Sequence, residues 1–435
     1  MTHSPPTGSC PHSLEDVDLF EPGAQEHWYA AYDILHDKAP VHCIPNEGSR
    51  DGTDGFILSK YEDIVKVVSD VKRFPYPSSA VVDKKAPAED ELAISMNAMM
   101  VSIASLRPTD DLWRIHRRQL TDPWFGPGAS RHKDMIKQAV NELIDQWIDN
   151  GKVEFVEEFA APLPQIVMTK ILGFPLEDMP KLRAWGEEQV RRYVYGRGHR
   201  NLLSPEEEKN QTKVLDEFSE YLAKHLTEKR SNPQDDMISW LSEVTYQPLE
   251  RKLTDIEIIG VIYAMHLGGL ETTQYAIAEQ AQLLCETPGL FETLKSDPKK
   301  IRFFCEEGLR LRAPTQGLST RMTTQDEVFQ GVKVSEGSIL HLRWAAANLD
   351  PDVYECPKDL DLNRKRATRH LTFSHGLRSC PGSGLSRLEQ NIAWETLLMR
   401  LDSIAYAEDV SITHQPGIML GTKEVKLVFE KAKTA

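Results

Sequence analysis

The sequence has few cysteines for its length, and no two of them are closely spaced. Six occur in 435 residues (Cys10, Cys43, Cys285, Cys305, Cys356 and Cys380), far apart and without a C-x-x-C spacing. That excludes a disulfide scaffold and a zinc ribbon. Basic charge is in deficit, with 51 Lys and Arg against 66 Asp and Glu for a net −15. Such a balance disfavours a nucleic-acid coat, which needs clustered cations. Long apolar runs are also missing: the two longest mainly apolar stretches, 97–106 and 258–270, fall short of the ~18 to 20 residues that span a bilayer. The N-terminus carries Pro, Ser and Asp where a targeting segment would have a basic region followed by an apolar one. Residues 1–22 are therefore expected to be a flexible lead-in to a single unit, 23–435, in a reduced cytoplasmic setting. There is no H-E-x-x-H, Walker A or G-x-S-x-G motif, and Gly382-Ser-Gly384 lacks the third glycine and preceding strand of a phosphate turn. Hydrolase and nucleotide-binding activities find no support.

What is present is an ordinary globular composition, 40% hydrophobic and 27% charged, with mainly helical patterning. A helix over 24–39 stops before Pro40, a short strand at Gly55 feeds a helix from Tyr61, and 75–108 reads as an irregular loop. Helix follows helix from 110 to about 230. A long helix is predicted from Thr254, whose Thr-Asp-Ile-Glu257 forms a capping box, to Thr287 before Pro288. Another covers 297–312. Short β-favouring runs lie between 319 and 342, an irregular stretch spans 345–379, and a final helix over 383–402 precedes a β-like tail. The fold class is mostly α with a minor β region, and no strand-helix alternation supports a doubly wound sheet.

Two patterns carry chemistry. The first is Phe373-Ser-His-Gly376-Leu-Arg378-Ser-Cys380-Pro381-Gly382, a cysteine framed by glycines and an arginine just before a helix. Amides at a helix start and a nearby cation favour a thiolate, and the glycines let backbone pass close to a flat ligand. Taken alone, Cys380 reads more readily as a buried structural thiol, the usual fate of a free cysteine. The second is Gly268-Gly269-Leu-Glu271-Thr272-Thr273 inside the capped helix. Each mid-helix glycine costs roughly 1 kcal/mol relative to alanine. Thr272, four residues after Gly268, can bond the Gly268 carbonyl and open the helical ladder.

F-x-x-G-x-R-x-C-x-G resembles the haem-binding loop of the cytochrome P450 family at every defining position. The glycine-acid-threonine pattern resembles that family's central helix, and Glu307-Gly-Leu-Arg310 its E-x-x-R signature, in the family's order. The resemblance implies the cytochrome P450 fold and a monooxygenase that uses haem b and O2. Cys380 is the implied iron ligand, and Glu271 and Thr272 are the implied acid and alcohol that deliver protons. Because peroxide-driven members replace that pair, electrons are expected from NAD(P)H through a separate ferredoxin, or flavodoxin, and its reductase.

Further implied cofactor-binding residues are Phe373, Gly269, Gly382, Arg378, Arg321, and Trp113 with Arg117 in the W-x-x-x-R form; bacterial members more often have His at the Trp113 position. Pro381 offers the sulfur no amide. Glu307, Arg310 and Arg364 are expected to form a structural ion network. A haem-responsive Cys-Pro sensor is the rival reading, which Cys10-Pro11 and Cys356-Pro357 do little to support. A basic face from Arg364, Lys365, Arg366, Arg369 and Arg378 is expected to steer an acidic electron donor. Pocket walls are expected from 75–108, the basic turn near 190–202, Ala264, Leu267, 315–319, Ile418 and Met419, around a medium-sized, largely apolar small molecule. The protein is expected to be a monomer, with no nucleic-acid partner and no membrane span.

Overall fold

The computed structural model describes residues 10–21, 23–77, 102–107, 109–194, 203–317, 319–408 and 410–433, without the side chains of 192–194. Most of the 75–108 loop and the 195–202 part of the basic turn lie outside the described residues. The chain is mostly helical with small sheets, as its patterning predicts. Of the expected lead-in, 10–21 is packed rather than loose: Leu14–Asp16 forms a short turn, Val17 and Leu19 are buried, and Arg343 Nη2 donates to the Leu19 carbonyl. Two apolar side chains in the core outweigh the turn-forming composition around them.

The central helix is apolar on all sides, so it runs through the core instead of along the surface. It starts at Asp255 with the Thr254–Glu257 capping box formed. The predicted single helix is nevertheless two, Asp255–Gly269 and Glu271–Glu286, broken at Leu270 (φ −90°, ψ −71°). The cause is local: Thr272 Oγ1 donates to the Gly268 carbonyl at 2.9 Å, in competition with the main-chain ladder.

Helices Pro162–Leu172, Ile301–Leu311 and Ser383–Arg400 pack on this pair, and Lys133–Trp147 packs on the first and last of these three. Trp147 and Trp394 are among the largest fully buried side chains, and the Trp394 indole N–H donates to Gln280 Oε1 at 2.7 Å. A four-stranded sheet has the order Val41–Ile44, Gly55–Leu58, Ile339–Leu342, Thr320–Met322, with only the second and third of these strands parallel to each other. In Thr320–Met322 only Arg321 turns into the core, as two-residue alternation requires. A second sheet joins Leu401–Tyr406, Lys426–Lys431 and Lys152–Glu154, in that order. The irregular stretch 345–379 holds only short helical turns.

Candidate functional site

The cysteine loop is built by its own backbone. Ser374 and Gly376 take positive φ (61° and 67°), so the chain doubles back and the Cys380 amide donates to the Phe373 carbonyl at 2.8 Å. The amides of Gly382 and Ser383 point at the sulfur. Burial pushes the Cys380 thiol up, and those amides, Arg117 and Arg387 oppose it. Two tight contacts fix the loop. A Cβ on Gly384 would sit 2.5 Å from the Gly126 carbonyl oxygen. The Arg117 guanidinium donates to the Ser379 carbonyl (3.0 Å), Ser379 Oγ (2.7 Å) and the Cys380 carbonyl (3.4 Å), with Nε on Asp122 (3.0 Å). Arg117 therefore braces the cysteine loop, where the sequence reading expected a cofactor carboxylate.

The two glycines of the central helix differ in role. A Cβ on Gly268 would meet nothing within 4 Å, whereas one on Gly269 would lie 2.6 Å from Met168 Sδ. Helix packing thus requires the glycine at Gly269, the position expected to contact the cofactor, and Gly268 is the position that leaves space. Glu271, next to Thr272, accepts from the Tyr275 hydroxyl at 2.8 Å, and burial raises its carboxyl to about 7.

Three arginines gather with little acid to balance them. Arg321 is 1% exposed, stacks 3.7 Å from the Tyr76 ring centroid, and donates to Ser319 Oγ and the Thr320 carbonyl. Arg378 and Arg107 each stack 3.9 Å from the Trp113 centroid. Arg378 has Asp110 at 3.6 Å, and for Arg107 no carboxylate partner occurs among the described residues. Burial and the Arg378 charge lower Arg107 to about 10, and burial with Arg107 lowers His116 to about 3. The buried Nε atoms of Arg321 and Arg378 have no hydrogen-bond partner among the described residues. Unpaired buried guanidinium donors are costly unless an anion meets them. A dicarboxylate supplies that anion, so the residues fit the haem that the family resemblance implies. Arg107 and His116 escaped the sequence reading. The available signal was an arginine six residues before Trp113, at the end of a stretch read as irregular.

The expected structural network is present in the geometry. Glu307 takes Arg310 at 2.7 and 2.8 Å and Arg364 at 3.0 and 3.1 Å, and Arg310 also donates to the carbonyls of Asn348 and Asp359. Next to it, Glu306 is held at about 2 by His370 and by Arg387, which also stacks on Phe373. The basic face is smaller than expected, because Arg364 serves Glu307, Arg369 pairs with Glu62 at 3.1 Å, and Arg378 faces Trp113. Lys365 and Arg366 remain exposed with no ion pair among the described residues. Of the expected walls, Thr315 bridges Met419, and Ile418 and Met419 pack on Tyr275. Ala264 and Leu267 are half-buried. No helix among the described residues is long and apolar enough to cross a membrane.

A family model described as Cytochrome P450 matches residues 299–429. The biotin biosynthesis cytochrome P450 of Bacillus subtilis is 29% identical, over 87% of this chain and 90% of that protein. Cytochrome P450 CYP107DY1 of Priestia megaterium is 27% identical over 86% and 89%. Among solved structures, P450BioI in complex with a hexadec-9Z-enoic acid ligated acyl carrier protein has a TM-score of 0.79 at 26% identity, covering 93% of this chain and 99% of that one.

Proposed function

The chain belongs to the cytochrome P450 family, and we propose that, within this class of haem-dependent monooxygenases, it inserts one atom of O2 into a medium-sized, largely apolar organic molecule by hydroxylation or oxidative dealkylation. The observation that carries the reading is the amide-faced thiol of Cys380 together with the anion-deficient arginines beside it. When bound, the haem supplies the iron centre at which dioxygen is split.

The chain's own residues do the rest. Cys380 would hold the iron through its sulfur, which the Gly382 and Ser383 amides steady. Arg321, Arg378 and Arg107 would hold the cofactor's carboxylates, and Arg117 keeps the cysteine loop in place. Gly268 leaves room beside the helix break, and the Thr272 hydroxyl stands at that opening. Glu271, with a carboxyl near neutrality, takes a proton from solvent and passes it toward Thr272. Ile418, Met419, Ala264 and Leu267 exclude water from the substrate. The acyl chain named with P450BioI belongs to the same apolar class.

Electrons come from NAD(P)H through a separate ferredoxin or flavodoxin and its reductase, steered by Lys365 and Arg366. The sensor reading is disfavoured because it gives Glu271 and Thr272 nothing to do. The test is the absorption spectrum of the dithionite-reduced holoprotein under carbon monoxide. A strongly red-shifted thiolate band that disappears in Cys380→Ala is expected, and its absence from the wild type overturns the assignment.

A further inference from the structure

Glu271 is held by a chain of contacts that reaches the C-terminal loop. Tyr275, one helical turn further on and 4% exposed, donates its hydroxyl to Glu271 Oε2 at 2.8 Å. The same hydroxyl oxygen accepts from Gln415 Nε2 at 2.5 Å. An amide nitrogen can only donate, so the one proton of the Tyr275 hydroxyl is committed to Glu271. Gln415 is fixed in turn. Its main-chain N–H donates to the Gly421 carbonyl at 2.8 Å, and the neighbouring His414 is clamped between Glu26 (2.8 Å) and Glu279 (3.1 Å). Ile418 and Met419 of the same loop pack on the Tyr275 ring.

We propose that Tyr275, set by Gln415, is the positioning residue that fixes the Glu271 carboxyl for proton transfer, an assignment that rests on the acid role given to Glu271 above. With Oε2 tied to Tyr275, Oε1 carries the proton. A cavity of about 190 Å³ adjoins the carboxyl, lined by Glu157, Arg183, Glu187, Gln274 and Lys423 as well as by Glu271 and Tyr275. It is polar and roomy enough for several waters.

The charges that face Glu271 come from three further elements: Arg183 and Glu187 on helix Met179–Val194, Glu157 on the turn Val156–Ala160, and Lys423 in the C-terminal segment. Arg183 is committed to Glu157 (2.7 Å to each oxygen) and Glu187 (3.0 Å), and among the described residues Tyr275 is the side chain that donates a hydrogen bond to Glu271. Burial and Glu187 push the Glu271 carboxyl up, and Tyr275 pulls it down.

The experiment titrates the haem-loaded protein by infrared spectroscopy, following the protonated-carboxyl band that Glu271→Gln removes. In Tyr275→Phe its midpoint should rise by on the order of one pH unit, the size expected for one lost hydrogen bond to a charged group. The pH dependence of product formed per O2 consumed should move with it. Gln415→Leu, which leaves the Tyr275 hydroxyl in place, should move the midpoint the same way by less. A tyrosine with only a packing role would lower thermal stability and leave the midpoint where it is. An unmoved midpoint in Tyr275→Phe, with coupling lost in Glu271→Gln, overturns the Tyr275 assignment alone. Full coupling in Glu271→Gln overturns the acid role on which it rests.

Discussion

Thr273 Oγ1 donates to Ser386 Oγ at 3.0 Å, tying the helix that carries Glu271 and Thr272 to the helix that leads away from Cys380. Ser386 also accepts from Gln390 Nε2 (2.9 Å), and Gln390 accepts from Gln280 (2.6 Å), so the bond opens a buried polar chain between the two helices. Thr273→Val keeps the shape and removes the donor. The expected loss is about 1 kcal/mol, with Ser386 still satisfied by Gln390. Denaturant unfolding of the haem-loaded variant measures it, and a loss above about 3 kcal/mol would mean that the chain acts as a unit.

Gly384 makes a second, harder contact. Its missing Cβ would fall 2.5 Å from the Gly126 carbonyl oxygen and 2.7 Å from that of Phe125. These are main-chain atoms that cannot swing aside. Gly384→Ala should cost about 1 to 3 kcal/mol and push the Cys380 loop out of register. Thermal unfolding and the intensity of the carbon monoxide band should fall together. Equal stability with an intact band would show that the two segments separate at no cost.

Glu307 bears on the loop from another side. Fully buried, it takes both Arg310 and Arg364. Glu307→Gln leaves two guanidiniums facing a neutral amide, and removing one partner of a buried pair costs about 3 to 5 kcal/mol. Low expression with residual folded protein that binds haem weakly is the expected outcome, read from soluble yield and the haem-to-protein ratio. Wild-type yield and loading would show that the backbone carbonyls around Arg310 suffice.

Much of this arrangement was legible in the residues. The capping box at Thr254, the Thr272 to Gly268 bond and the Glu307–Arg310 pair depend on short spacings that the sequence displays, whereas Arg364, 57 residues from Glu307, was expected there only through the family resemblance. The break at Leu270 was not predicted, because a side chain bonding back to a carbonyl weakens a helix without dictating whether it bends or parts. Gly268 and Gly269 look alike in sequence, and only the packing of Met168 separates them. Arg117 and Arg107 were misjudged or missed for one reason. A guanidinium spans several ångströms, and which neighbour it reaches depends on long-range placement: Ser379 and Cys380 for Arg117, the Trp113 face for Arg107. Local pattern holds no such information.

Arg107 gives a prediction with opposite signs in the two forms of the protein. In the haem-free chain its charge is buried beside Arg378 with no carboxylate of its own among the described residues, so Arg107→Met should leave stability unchanged or raise it. In the haem-loaded protein the same change removes a partner of a propionate. Haem should transfer to an excess of apomyoglobin several-fold faster than from wild type. Parallel effects in the two forms would place Arg107 outside the cradle.

His414 sets a pH window for the C-terminal loop. Between Glu26 and Glu279 its imidazolium is raised to about 9 from an ordinary value of 6.5. A group raised in the folded state contributes stability that is fully present below its unfolded pKa and is lost as pH climbs through the folded one. The His414 contribution, on the order of 3 kcal/mol, is therefore intact below about pH 6.5 and fades by about pH 9. Glu26 and Glu279 are shifted the other way, held below 4.5 chiefly by His414 against the cost of burial. Their contribution is present above that value and fades as pH falls. The clamp should thus be strongest between about pH 4.5 and 6.5. In His414→Gln the alkaline fall in stability from pH 6.5 to 9 should flatten, seen as a smaller change in unfolding midpoint across that range. An alkaline limb as steep as in wild type would assign the loss to other groups.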